Sequence, residues 1–178
     1  LQIYRIPEPE PLAAASRPPS GRTAPAEMFR IAYPNGAHDA ETMLVHPKTG
    51  EILIVTKDTP GKAVVFKVPM PLDPKNTMKM EKVADLNLAE AGVKSDVADD
   101  GAVTVDASRV VVRTYGHAVE FDVPPGASLA SIWDQRPRLI KIEDPPQGEG
   151  ITYRLDGKAL ISIGEDTPTF LWLTAQQC

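Results

Sequence analysis

Seven charged residues sit where they could act together. Asp39, Glu41, Asp99, Asp100 and Glu149 precede three similar apolar stretches, and Lys57 and Arg113 end two of the strands that follow. Carboxylates that converge from separate elements can hold Ca2+ through oxygen ligands. Glu41, Asp99 and Glu149 would give one such acid per stretch. The same acids can instead accept backbone N–H bonds and fix their own turns. Lys57 and Arg113 can pair with them or, together with Arg154, bind a phosphate group. A buried cation without a partner is costly, so pairing is the simpler role.

Other chemistries find less support. His38, His46 and His117 are scattered, with no HExxH and no two-histidine spacing, which disfavours zinc. His38, beside Asp39, is the candidate for a functional histidine and is otherwise a turn residue. Ser128 and Ser131 lie in no GxSxG elbow. Gly148-Glu149-Gly150 leads into no helix pattern and is not a nucleotide loop. The single cysteine, Cys178, rules out an intrachain disulfide and CxxC chemistry. It is either an interchain attachment point or an unused terminal thiol. A net charge of −5 argues against a nucleic-acid surface. No apolar run reaches the roughly 20 residues of a membrane-spanning helix. The start carries no signal-peptide pattern, and the chain is read as a mature or partial product.

The elements that must position these groups are short. The 178 residues, 42% apolar and 24% charged, suit one domain over 1–178 with a real core, and 18 prolines favour strands and turns over long helices. Leu1–Ile6 and Met28–Tyr33 alternate as strands around a Pro/Ala-rich loop at 7–26. Next comes Asp39–Lys57, with a Pro47-Lys48-Thr49-Gly50 turn and the apolar run Ile52–Val55. That run should be buried on both faces. Ala63–Val68 and Met78–Leu86 follow as strands, and Leu86–Val93 as a helical turn. A second group holds Ala102–Val105, Arg109–Tyr115, Ala118–Val123 and Arg138–Ile142, with a short helix from Ser128 to near Asp134. A third holds Ile151–Leu155, Ala159–Ile163 and Thr169–Leu173. Trp133 and Trp172 read as packing residues.

Glu41, Asp99 and Glu149 recur about 50 to 58 residues apart, with four strands to a full group. That period predicts a β-propeller of four-stranded antiparallel blades. A β-sandwich is the alternative, but it does not predict a matching acidic step in each group. The strand groups make about three to four blades of a larger ring, so an upstream segment or a partner is expected to complete it.

The stretch Tyr33-Pro34-Asn35-Gly36-Ala37-His38-Asp39-Ala40-Glu41, the triplet Arg113-Thr114-Tyr115 and Gln147-Gly148-Glu149 resemble motifs of a group of bacterial secreted β-propeller proteins, mostly uncharacterised and similar in appearance to WD40-like and phytase-like propellers. That group carries Y-P-D-G-x-x-D-A-E, S-P-D-G before V-x-V-R-T-Y, then Q-G-E-A-I and S-E-G. Here Thr104-Val105-Asp106-Ala107 stands for S-P-D-G, Gln147-Gly148-Glu149-Gly150 for Q-G-E-A, and Ile163-Gly164-Glu165-Asp166 for S-E-G. The group's upstream N-D-S-G, D-W-E-D and D-I-G-D-N motifs are not in this sequence. The resemblance implies a periplasmic or secreted propeller. The expected function is non-enzymatic: a protein-binding or assembly module, such as an extrinsic subunit on an envelope or membrane complex. The competing class is a calcium-assisted phosphoesterase.

Overall fold

The structure, a computed structural model, describes residues 1–8, 21–94, 96–142, 148–165 and 170–175. Among the described residues it is all-β, with one helical element, the 3-10 turn Leu129–Ser131. The first sheet has the order β1 (Gln2–Arg5), β2 (Glu27–Ala32), β6 (Met78–Lys79). The second is a four-stranded antiparallel sheet of β3 (Ala40–Val45), β4 (Ile52–Thr56), β5 (Lys62–Lys67) and β7 (Glu81–Asn87). The third, also four-stranded and antiparallel, has β8 (Asp100–Val103), β9 (Arg109–Arg113), β10 (His117–Asp122) and β11 (Arg138–Lys141). The fourth has β12 (Gly148–Tyr153), β13 (Ala159–Gly164) and β14 (Trp172–Ala175).

Side chains alternate across a strand, so a strand between two layers must be apolar on both faces. β4 meets this condition. Ile52 and Ile54 join Phe29, Ile31 and Phe66 in the cluster facing the first sheet. Leu53 and Val55 join Val110, Val112 and Phe121 in the cluster facing the third. β9 repeats the device, with Val111 turned toward Ile151 and Leu160 of the fourth sheet. The four sheets therefore stack in chain order. Burial of β4 on both sides is as the sequence predicts.

The first strands of the last three sheets lie side by side, with β8 packed between β3 and β12. The close approach requires Gly101, because a Cβ there would lie 2.9 Å from Leu44 Cδ2 and from Thr42 Cγ2.

Several expectations are corrected. Met78–Leu86 is not one strand. β6 pairs parallel with β2, Met80 N donates to Ala32 O, and the chain then crosses to pair β7 with β5. The switch puts Met78 and Met80 into the cluster beside the first sheet. The turn expected over Leu86–Val93 is shorter: β7 runs to Asn87, and a single turn over Leu88–Val93 follows, with Ala91 N donating to Leu88 O, Gly92 N to Ala89 O and Val93 N to Leu88 O. The helix expected from Ser128 to Asp134 shrinks to the 3-10 turn, capped by Ser128 Oγ accepting from Ala130 N. β12 starts at Gly148, ahead of Ile151, and β14 runs two residues beyond Leu173. Residues 9–20 of the Pro/Ala-rich loop, Gln147, Asp166, Thr169 and Cys178 lie outside the described residues.

Candidate functional site

Two of the three recurring acids sit at β-bulges. In β3, Ala40 pairs with Thr56 and Thr42 with Val55, leaving Glu41 as the extra residue. In β12, Gly148 pairs with Gly164 and Gly150 with Ile163, leaving Glu149. In the third sheet Asp100 pairs with Arg113, while Asp99 N also donates to Arg113 O at 3.1 Å. A bulge re-aims the side chain at the start of a strand. Glu41 and Glu149 thus lie within their first strands and Asp100 opens β8, while Asp39 and Asp99 stand just ahead of β3 and β8.

The acids have different surroundings. Glu41 pairs with Lys57, whose ammonium also lies 5.3 Å from the centre of the Tyr115 ring. Burial opposes the charge on Lys57, but Glu41 and Tyr115 hold its pKa above the usual lysine range. Asp99 is buried against Arg113, with Nη1 3.3 Å from Oδ2. The Arg113 side chain is 0% exposed. Burial pushes the Asp99 carboxyl up to about 7, with the charges of Glu149 and Asp100 acting in the same direction and Arg113 against it. Asp100 Oδ2 accepts from Ile151 N at 2.6 Å, tying β8 to β12; burial raises its pKa as well.

The structure thus gathers Asp99, Asp100, Glu149, Arg113 and Lys57 into one electrostatic group, with Glu41 attached through Lys57. Asp39 stands apart and exposed. Its backbone N–H donates to Asp58 Oδ1, and its C=O accepts from Lys57 N. Arg154 lies at the far end of β12, paired with Asp156. Arg113 is too deeply buried to meet a phosphate from solvent, and Arg154 is too remote to join it there.

Calcium fits this arrangement poorly. Among the described residues no three acidic, histidine or cysteine side chains form a group that could hold a metal ion. Of the three acids proposed as ligands, Glu41 is engaged by Lys57 and Asp99 by Arg113.

The histidines take separate places. His38 Nδ1 lies 2.6 Å from Asp58 Oδ2 and Nε2 lies 3.0 Å from Asn35 Oδ1, with Tyr33 packed edge-on against the ring. His46 Nδ1 accepts from Lys48 N and Thr49 N inside the β3–β4 turn. His117 begins β10.

Sequence reasoning assigned no role to Gly148, Glu120 or Glu51. A Cβ on Gly148 would lie 1.8 Å from Arg113 Nη2, so only glycine lets β12 pass over the guanidinium. Buried Glu120 accepts from Tyr153 Oη at 2.8 Å and from Arg138, and it faces Arg109. Glu51 accepts from Ser128 Oγ and Leu129 N and pairs with Lys67. Each of these links neighbouring sheets. A signal was present for Gly148, whose glycine and acid stand one beside the other in Gly148-Glu149. None was present for Glu51 or Glu120, whose partners are remote in sequence.

No family model matches the chain, and a search of the curated proteins gives no match. Solved structures do show a likeness. One is a candidate 6-phosphogluconolactonase from Bacteroides uniformis, at 14% identity and a TM-score of 0.49, covering 87% of this chain and 44% of that one. Another is Chaetomium thermophilum Sqt1 bound to the N-terminus of a ribosomal protein, at 10% identity and a TM-score of 0.43, covering 80% and 47%. The chain spans less than half the length of either.

The charged group therefore works as a junction. Its ion pairs, Glu41–Lys57 and Asp99–Arg113, each brace one sheet, while the sheets are joined by Asp100 accepting from Ile151 N, by Lys57 over the Tyr115 ring and by Arg113 against Gly148.

Proposed function

We propose that this chain is a non-enzymatic binding or assembly module built from β-propeller blades. The observation that carries the reading is the exposed outer face of the fourth sheet. Ile161 pairs with Leu173 in register and so shares a face with it and with Ile163. Ile163 is 38% exposed and Leu173 is 56% exposed, and Leu171 just before β14 is 72% exposed. The other face of the same sheet buries Ile151, Tyr153 and Leu160. An apolar sheet face of this kind calls for a partner. The outer face of the first sheet is mixed: Gln2 and Arg30 pair across it and are both exposed, and Tyr4 on the same face is exposed too.

The side-by-side first strands and the burial of β4 and β9 on both faces support blades over a two-layer sandwich, which buries one face of each sheet. The occupant we propose for the outer face is a further antiparallel sheet, from an additional segment or from an envelope partner outside the cytoplasm. No helix of the described residues is long and apolar enough to cross a membrane.

The test of function class is a thermal melt in millimolar CaCl2 beside a phosphomonoesterase assay with p-nitrophenyl phosphate. The binding reading expects no shift of the melt and no turnover. A calcium-dependent shift together with hydrolysis would replace it with the calcium-assisted phosphoesterase.

A further inference from the structure

β7 is the outermost strand of the second sheet in pairing order, so one edge of its backbone has no strand partner among the described residues. Two clefts meet at its end. One, of about 620 Å3, and a second, of about 400 Å3, share Asp85, Leu86 and Asn87 as lining. The second runs between β7 and the segment ahead of β11, and its wall includes Ala91, Trp133 and Pro137. Its charges are unbalanced: Asp85, Glu90 and Asp134 stand against Arg136 alone. Asp85 is paired with Lys82, but that pair is exposed and holds weakly. Trp133 is only 6% exposed, and its indole N–H has no acceptor among the described residues. That N–H is closed to solvent, so Trp133 gives the groove apolar wall and not a reachable donor.

We infer that the groove beside β7 binds an extended basic peptide. An open strand edge takes an extended chain through main-chain hydrogen bonds, and alternate side chains then provide selectivity. Lysine or arginine side chains of the peptide meet Asp85, Glu90 and Asp134. Intervening small apolar side chains lie on Leu86, Ala91 and Trp133. The inference deepens the binding-module reading and rests on it, but it uses a different surface from the outer face of the fourth sheet.

The test uses the full chain carrying Trp172→Phe, which leaves Trp133 as the single tryptophan. It is titrated with the capped hexapeptide Lys-Val-Lys-Val-Lys-Val and, separately, with Glu-Val-Glu-Val-Glu-Val. The expected result is a saturable change in Trp133 fluorescence with the basic peptide alone, weakened by salt. Glu90→Lys with Asp134→Lys should weaken it by at least about tenfold. Both positions are on the surface, and a far-ultraviolet spectrum checks that the variant is folded. No saturable change, equal binding of the acidic peptide, or binding unaltered by the double reversal overturns the inference. Loss of association through the fourth sheet, tested separately with Leu173→Glu, bears on the module reading and leaves the groove result standing.

Discussion

The guanidinium of Arg113 lies directly against the backbone of Gly148, in the space a Cβ would occupy. Arg113 ends β9 in the third sheet and Gly148 opens β12 in the fourth, so the two residues fix how these sheets meet. The arginine of the Arg113-Thr114-Tyr115 triplet and the glycine of Gln147-Gly148-Glu149 are two halves of one contact.

Gly148→Ala must displace a fully buried cation or the strand above it. Overpacking of this sort costs about 1–3 kcal/mol, which for a chain this size lowers Tm by roughly 2–4 °C per kcal/mol. Differential scanning calorimetry measures this directly. Combining it with Arg113→Met should cost clearly less than the sum of the single changes, since both act on one contact. Strict additivity would show that the contact does not govern the junction.

Asp99 gives a pH dependence of defined sign. Its carboxyl is held up to about 7, above its ordinary value of 3.8. The folded chain therefore binds this proton more tightly than the unfolded chain, and the Asp99 contribution to stability falls as pH rises between those two values. Denaturant midpoints measured from pH 5 to 8 should show this fall in the wild type and a flatter profile in Asp99→Asn. Parallel profiles would place the titration elsewhere.

Glu51 behaves in the opposite way. Burial favours its neutral form, but Ser128, Lys67 and the Leu129 N–H together hold its pKa below the ordinary 4.5. Its stabilising effect is full above that value and is lost as pH falls through the lower folded value. Glu51→Ala leaves the buried Leu129 N–H without this acceptor and should cost about 1–3 kcal/mol at neutral pH. Urea unfolding at pH 7 and pH 3 should show the difference from wild type shrinking in acid.

Ala107 sits at φ 64° in the turn before β9, where the related motif has glycine. A non-glycine residue pays about 1 kcal/mol in this region. Ala107→Gly should therefore raise Tm by about 1–2 °C, after the entropic cost of glycine in the unfolded chain is subtracted. An unchanged or lower Tm would show that the turn carries no such strain.

The sequence made the layered all-β architecture legible because periodicity and turn residues are local. Ile52–Val55 announced a strand buried on both faces, and the spacing of Glu41, Asp99 and Glu149 announced repeated sheets. The crossing of Met78–Met80 to the first sheet was hidden, since no glycine or proline marks it and its one trace is the break in alternation at Glu81-Lys82. The charged site was legible as a set of residues and not as a geometry. A one-residue bulge brings Glu41 to Lys57, while Asp99, just ahead of β8, is sealed against Arg113. The Glu51–Ser128 and Glu120–Tyr153 links join residues 77 and 33 positions apart, beyond any local pattern.

The central claim is that the outer face of the fourth sheet is a docking surface. Light scattering on the purified 178-residue chain, beside Ile163→Glu with Leu173→Glu, addresses it most directly. The account predicts that the wild type associates well beyond 19.3 kDa and that the folded double variant runs as a monomer of that mass. A wild-type chain that is folded, monodisperse and monomeric at 19.3 kDa would contradict it.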